Sequence, residues 1–433
     1  MIQLESKQYM CKPSKYNIYL TYKDRYYIFN QLSSELREVD LELYEELQNA
    51  KGQIQLTDSD LISDLLKCNI LSPFDCNEVN KILCANKTFR FLNSTARVTI
   101  IPTLECNFRC WYCYETHENG HMSAPDVDSV ILFCKNLIAK GGLKSFVLDW
   151  FGGEPLLYFD SIVYPISLAI KAYCKENDVE FFNSITTNGF FATEDLIPRL
   201  NEIELRGFQI TLDGERRFHD KTRYNRNRSG SYDIIVGNIT RLCRDIPDIS
   251  MTLRINYTPA NLKTLEVIAD SFPQDVRKKI FIEPQLVWQY KESVNTITDT
   301  LAQKLKYFQS MGYPTRGNVL PETCKWCYAE SMNQYVINFD LSVYKCTARD
   351  FTNPIYSIGR ISKYGVFVPN NNYYKYFTSS FFENETCLDC NLLPSCSGMC
   401  IQKKIEKSIP SCPKKNIMES IQNKLKSIID LSI

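Results

Sequence analysis

Six apolar runs between residues 91 and 315 limit the fold of this chain most. They read "ARVTIIPTL", "SFVLDWF", "EFFNSITTN", "GFQITLD", "MTLRINYT" and "IFIEPQLVW". Each has the length of a strand. None alternates cleanly between apolar and polar residues, so strands buried on both faces are expected. Helical patterns separate them. In "APDVDSVILFCKNLIAKGG", Val127, Val130, Ile131, Leu137 and Ile138 share one face, and glycines follow the last turn. Six strand–helix repeats predict an α/β fold with a parallel sheet, an incomplete (β/α)6 barrel. Such folds carry their sites at the C-terminal ends of the strands. The polar segments fall there: "ECNFRC" after the first strand, "GGEP" after the second, "TTNG" after the third and "LDG" after the fourth.

Two other regions flank this one. In residues 1–90, "YNIYLTYKDRYYIFN" predicts a hairpin turning at Lys23-Asp24. "DLELYEELQN" and "DSDLISDLLKCNIL" predict short helices, each opened by a capping aspartate. A hairpin with two or three helices is winged-helix-like in size. It is either a binding unit or a packing appendage. Residues 316–433 are cysteine-rich and end in a helix on which Ile417, Ile421, Leu425 and Ile428 repeat at helical spacing.

The chain has 433 residues, a formal net charge of zero and 18 cysteines. The balanced charge gives no pull toward nucleic acid or an anionic membrane surface. No secretory signal and no apolar run of membrane-spanning length is read, so a cytoplasmic protein is expected. In a reducing compartment, clustered cysteines bind metal or do redox work. Cys11, Cys68, Cys76, Cys84, Cys134, Cys174 and Cys243 are scattered and are expected to be buried as small hydrophobes.

Cys106, Cys110 and Cys113 lie in "ECNFRCWYCYE". Four thiolates normally hold a four-iron cluster. Three leave one iron open, as a catalytic zinc site leaves a position for its reactant. The alternatives are a zinc knuckle completed by His117 or His121, or three core thiols.

"CNFRCWYC" resembles the cluster loop of the radical S-adenosylmethionine (SAM) family, with Tyr112 before the last cysteine. "GGEP" resembles the loop of Gly152, Gly153 and Glu154 that holds the methionine amino group of SAM. "ITLDGERRFHDKTR" resembles the fourth-strand segment of the family's SPASM branch. The resemblance implies that Thr211 and Arg223 bind the ribose or methionine carboxylate and that Leu286 lines the adenine. It implies reductive cleavage of SAM to a 5′-deoxyadenosyl radical, which takes a hydrogen atom from the substrate. The C-terminal run Cys387-x2-Cys390-x5-Cys396-x3-Cys400, then Cys412, is similar to the SPASM signature for two auxiliary 4Fe-4S clusters. By that likeness Cys387, Cys390, Cys396 and Cys412 hold one cluster. Cys400, Cys346, Cys327 and Cys324 hold the other. A pair of structural zinc sites is the alternative.

Two departures stand out. The family has glycine where this chain has Leu341, in "NFDLSVYKC", and Asp340 is expected to form the turn instead. Sulfatase-maturating members carry an acid just after the cysteine corresponding to Cys346. Here Thr347 follows, and Asp350 is the displaced candidate for a catalytic base. The resemblance therefore implies a maturase of ribosomal peptides that installs a cross-link or other modification. A leader segment of the precursor would be captured by strand addition on the N-terminal unit. An external reductant such as flavodoxin or ferredoxin would supply the electron. The basic loop "RYNRNR", Arg223 to Arg228, is either a surface for an acidic peptide or, apart from Arg223, a solvated face, the commoner case. The alternatives are a sulfatase-maturating or small-molecule radical enzyme, and a zinc-stabilised or degenerate peptide-binding partner without catalysis.

Overall fold

The computed structural model describes residues 10–432, apart from 51, 55, 93, 226, 228, 291–294, 316–319, 322, 399 and 407–411. The chain divides into two compact units. One comprises Met1–Leu92, Asn318–Ser331 and Tyr376–Ile433; the other comprises Asn93–Gly317 and Met332–Lys375.

The larger unit is built on the six apolar runs. They form β1 (Thr95–Ile100), β2 (Ser145–Trp150), β3 (Glu180–Thr187), β4 (Leu205–Leu212), β5 (Ser250–Tyr257) and β6 (Ile280–Leu286). Each pairs in parallel with its sequence neighbour. Helices or short helical turns connect them, as successive crossovers in one direction require. On the far side of β1, β7 (Gln334–Ile337) adds in parallel. An antiparallel meander then follows through β8 (Ser342–Tyr344), β9 (Gly359–Ile361) and β10 (Phe367–Pro369). The fold is thus the expected α/β one with a central parallel sheet, here ten strands wide.

The strands are not buried on both faces. In β2, Phe146, Leu148 and Trp150 are fully buried, while Ser145, Val147 and Asp149 are only half-buried. In β5, Met251, Leu253, Ile255 and Tyr257 alternate with half-buried Thr252, Arg254 and Asn256. One face of the sheet is apolar. The other carries Arg97, Asp149 and Ser184, with Arg97 paired to Asp149 at 2.7 Å and Ser184 donating to Asp149. An open sheet leaves its concave face for a site, so that face stays polar. The helix Ala124–Ala139 opens on a reciprocal Ser123–Asp126 capping box and ends before Gly141 and Gly142. It buries Val127, Val130, Phe133, Cys134, Leu137 and Ile138, whereas Ile131 is half-buried.

In the smaller unit, Asn17–Tyr22 and Arg25–Asn30 form the expected hairpin. Lys23 and Asp24 sit at φ 52° and 57°, the geometry of a two-residue primed turn. A third strand, Glu35–Val39, makes Arg25–Asn30 central and leaves Asn17–Tyr22 and Glu35–Val39 as edges. Asp40 caps Leu41–Asn49 by accepting from the Leu43 amide, and Asp58 caps Ser59–Lys67 from Asp60 and Leu61. Strand alternation sends Ile28 to one face, against Tyr44, Leu47, Ile62 and Leu65. Ile18, Leu20, Tyr27 and Phe29 go to the other, against Ile421, Leu425 and Ile429 of the helix Lys414–Ser432. That helix buries Ile429 in place of the expected Ile428. Of the scattered cysteines, five are buried, but Cys76 is half-buried and Cys84 is exposed. Among the described residues no helix is long and apolar enough to cross a membrane.

Candidate active site

The segment from Glu105 to Glu115 leaves the C-terminal end of β1 without regular structure. Bonds to the loops that follow other strands hold it in place. The Gly153 amide donates to Thr103 O at 3.1 Å and the Glu154 amide to Glu105 O at 2.8 Å. A Cβ on Gly153 would lie 2.1 Å from Glu105 O, and one on Gly152 would lie 2.6 Å from Thr103 O. Only glycines allow the loop after β2 to approach this closely.

Glu154 is fully buried. Its carboxylate accepts from Leu156 N at 3.0 Å, Thr187 Oγ1 at 2.7 Å and Asn188 N at 2.8 Å. Glu154 therefore ties the loop after β2 to "TTNG" after β3. Burial still raises its pKa, against those three donors. A carboxylate has about four lone-pair positions, so one remains for a further donor.

Asn188 carries the network to the cysteines. Its Nδ2 donates to Asn107 Oδ1 at 2.7 Å and lies 3.8 Å from Cys106 Sγ. Cys106 is buried, and its sulfur also accepts from the Phe108 amide at 3.4 Å. The "RYNRNR" loop contacts the segment directly. The Arg109 amide donates to Tyr224 O at 3.0 Å, and Phe108 bridges Asn225. This corrects the reading of that loop as a solvated face, although Arg226 and Arg228 lie outside the described residues.

Tyr112 links the loop after β4. Its hydroxyl donates to Asp213 Oδ2 at 2.6 Å and accepts from an Arg223 guanidinium nitrogen at 2.8 Å. Its carbonyl accepts from Gln289 Nε2, just beyond β6, at 2.5 Å. Burial alone would lower the Arg223 pKa, but the Cys110, Tyr112 and Asp213 charges outweigh it and hold the guanidinium protonated. Asp213 is raised by burial. The Asp213 amide donates to His219 Nδ1 at 3.2 Å, so the ring proton is on Nε2, facing Ser231 Oγ at 3.0 Å. Burial holds His219 well below the usual imidazole range, hence neutral. Thr211 is buried at the end of β4, and Leu286 is half-buried at the end of β6.

Beyond burial, Cys110 adds to the raised pKa of both Cys106 and Cys113. Burial pushes Cys106 up to about 12, with the Glu154 charge next and Cys110 contributing. Cys113 is pushed to about 11 by burial, with Cys110 again contributing, and Cys110 is raised by burial as well. Thiols held this far from ionisation become ligands when a metal charge displaces their protons. Among the described residues, no three His, Cys, Asp or Glu side chains are gathered about a single ion. His121 is instead stacked on Tyr158, with ring centroids 4.2 Å apart. Asn107 Nδ2, Glu115 Oε1, Asp213 Oδ1, Arg223 Nε and Gln289 Oε1 are buried without a hydrogen-bond partner. All five lie on the cysteine segment or on its supports. Unpaired buried polar atoms cost free energy, so each calls for a partner the protein itself does not supply.

Asn188, Asp213 and Glu115 lie inside motifs that sequence reading had singled out, but their roles needed the fold. Gln289 carried no local signal. Glu115 is pushed up to about 8 by burial, with the Asp350 charge second. Asp350 itself is exposed, and its Oδ1 accepts from the Thr352 amide and hydroxyl. The turn before Cys346 forms with Leu341 at φ 66°, the geometry that favours glycine, and Asp340 Oδ1 accepts from Ser342 N at 3.0 Å.

In the smaller unit, Cys396 is raised by burial and then by the charges of Cys387, Cys390 and Cys412. Cys387 in turn is raised by burial, Cys390 and Cys412. Among the described residues, no three of these thiols are disposed about one ion. Cys324, Cys327 and Cys400 belong to the same unit; Cys346 belongs to the larger one, just after β8.

Residues 100–272 match the family described as the radical SAM superfamily. A cysteine-type anaerobic sulfatase-maturating enzyme of Clostridium novyi (strain NT) is 26% identical over 347 residues, covering 72% of this chain and 89% of that protein. The radical SAM cyclopropyl synthase TigE of Paramaledivibacter caminithermalis is 21% identical over 435 aligned residues, covering 86% of each. Native anSMEcpe with bound AdoMet and Cp18Cys peptide superposes with a TM-score of 0.55 at 15% identity, over 78% of this chain and 99% of that one. Streptococcus suis SuiB bound to its precursor peptide SuiA gives 0.51 at 14% identity, over 94% and 98%. At these identities the solved structures speak to the fold alone.

Proposed function

This chain carries a radical SAM domain, and on that premise we propose that it is a peptide maturase acting on a ribosomally made precursor. Cys106, Cys110 and Cys113 would hold a four-iron cluster with one iron open to S-adenosylmethionine. When bound, the pair supplies one-electron chemistry and a carbon radical able to take a hydrogen atom from an unactivated carbon. This chain's own residues orient and enclose. Gly152 and Gly153 bring their loop against Glu105, and the remaining lone pair of Glu154 would receive the methionine ammonium. Arg223 Nε and Asn107 Nδ2, both unpaired donors, would meet the carboxylate or ribose, with Thr211 beside them. Tyr112 keeps Arg223 aimed, and Leu286 would cover the adenine. Cys387, Cys390, Cys396 and Cys412 would close one auxiliary cluster, and Cys324, Cys327 and Cys400 would belong to another.

One observation carries the reading. The segment with three thiols is bonded to the loops after β2, β3, β4 and β6, and it and its supports carry five buried polar atoms without partners. By analogy only, two solved structures that share this fold each hold a peptide, and a peptide substrate is proposed here on that analogy. The edges Asn17–Tyr22 and Glu35–Val39 of the three-stranded sheet are where a leader strand would add. A low-potential flavodoxin or ferredoxin would supply the electron. A second reading, sulfatase maturation, is favoured by the Clostridium novyi relative. Against it stand Thr347 after Cys346 and an exposed Asp350 already engaged with Thr352.

Anaerobic reconstitution tests the reaction. The reduced protein should form 5′-deoxyadenosine, and the combined change of Cys106, Cys110 and Cys113 to alanine should abolish it. Zinc in place of iron, with no cleavage, would overturn the enzyme reading. Mass spectrometry after incubation with a short peptide encoded beside this gene, or with a sulfatase-derived peptide, separates the two substrates.

A further inference from the structure

The smaller unit holds a buried phenol that its own contacts leave unused. Tyr16 is 0% exposed, yet its hydroxyl has no hydrogen-bond partner. It packs with Ile82 and Leu393, and Cys324 and Trp326 lie against that group. Burial raises its pKa, and the charges of Glu78, Cys324 and Cys390 add to the effect in that order. Trp326 stands between Cys324 and Cys327, and its indole nitrogen is also buried without a partner. Phe89 lies against the Trp326 ring, with centroids 5.8 Å apart. Cys324 itself has φ 52°, a conformation unfavourable for a residue with a Cβ, and its amide donates to Pro394 O at 2.7 Å. Backbone held in that region marks a position the surroundings over-determine. Two orphaned donors and a strained cysteine therefore share one apolar pocket.

A buried donor left unsatisfied costs free energy. Two such donors in the apolar cluster that also holds the Cys324 thiol call for acceptors that arrive with a ligand. Thiolate and sulfide sulfurs accept such bonds. We propose that Tyr16 Oη–H and Trp326 Nε1–H donate hydrogen bonds to sulfurs of an auxiliary cluster ligated by Cys324, and so set its reduction potential. The inference rests on the auxiliary clusters proposed above, to one of which Cys324 was assigned there. Hydrogen bonds to cluster sulfur stabilise the more negative, reduced state. They therefore raise the potential, and the two residues act as positioning and tuning groups. Tyr16 makes the N-terminal region a structural part of the redox centre.

The experiment uses the full chain with Cys106, Cys110 and Cys113 changed to alanine, so that only auxiliary clusters are observed. Iron is counted, and the reduced clusters are titrated potentiometrically by electron paramagnetic resonance, with Tyr16→Phe and Trp326→Phe added singly. Each change removes a donor and keeps an aromatic ring. The expected result is full iron content and one cluster signal shifted to more negative potential in each variant, the other signal unmoved. In deuterated buffer, an exchangeable proton coupled to that cluster should be lost with Tyr16→Phe. If Tyr16→Phe lost iron, Trp326→Phe would decide by the same titration. Full iron with unshifted midpoints in both variants would overturn the hydrogen bonds but leave the clusters standing. A parent without auxiliary iron would instead overturn the clusters themselves.

Discussion

The two cysteine-rich segments are held by opposite means. The segment from Glu105 to Glu115 is irregular, but the sheet of its own unit holds it through Glu154, Asn188, Asp213 and Gln289. The segment from Glu385 to Ile405 instead consists of helices of four or five residues: Glu385–Leu388, Leu393–Cys396 and Ile401–Ile405. Helices that short do not stand alone in water. Its hydrogen bonds are mostly local, such as Cys396 N to Leu392 O and Leu392 N to Cys390 Sγ. One segment is a socket made by the fold and left incomplete. The other is made of short turns, tied to its unit by Gln31, which donates to Asn391 O and accepts from Ser395 Oγ, and by buried Leu392 and Leu393.

Removal of iron should separate them most. If clusters complete the C-terminal segment, metal binding is part of its folding energy. Chelation should then expose Glu385–Ile405 to protease before any other described segment, while the circular dichroism of the larger unit persists. Equal resistance with and without iron would erase the contrast. Gly153→Ala attacks the socket itself. The added methyl meets backbone oxygen at 2.1 Å, so a loss of about 3 kcal/mol is expected, read as a lower melting temperature with collapse of 5′-deoxyadenosine formation. Tyr112→Phe is gentler. It leaves Arg223 and Asp213 each short of a partner and should cost about 1–3 kcal/mol. A drop in turnover of about 10- to 100-fold is expected, as for other groups that orient ligands. The smallest effect is one of pH. His219 accepts an amide proton on Nδ1 and is held neutral, so its folded pKa lies below the unfolded value of about 6.5. Its contribution is present above that value and is lost as pH falls below it. The loss is about 1.4 kcal/mol per pH unit for one proton. Urea unfolding at pH 7 and 5.5 should show the decline, and His219→Gln should flatten it.

Much of this was legible because it is local. The hairpin at Lys23-Asp24 needs only two residues that tolerate positive φ. The caps at Asp40 and Asp58 need one oxygen each. The six strands follow from apolar runs of the right length. The third strand Glu35–Val39 was missed because its sequence, "ELREV", is charged, as an edge strand's often is. Burial on both faces was over-read in β2 and β5. Their half-buried residues include valine and threonine, which do not distinguish a polar concave face from a packed one. The segment 332–375 extends the sheet of the larger unit, whereas 318–331 and 376–433 join the smaller one. No composition change marks those junctions, since cysteines lie on both sides.

The amino-acid sequence alone determined the cysteine spacing, the glycines that admit a close backbone approach and the order of strands and helices. These are properties of neighbours within a few residues, where backbone geometry leaves few choices. Tertiary structure decided which polar atoms satisfy each other. Glu154 binds Asn188, Tyr112 links Arg223 to Asp213, and Tyr16 reaches Cys324 across some three hundred residues of chain. Such pairings depend on long-range packing and burial, which no local pattern encodes. That is why the three-cysteine spacing could be read from eight residues, and the polar pairings that hold that segment could not.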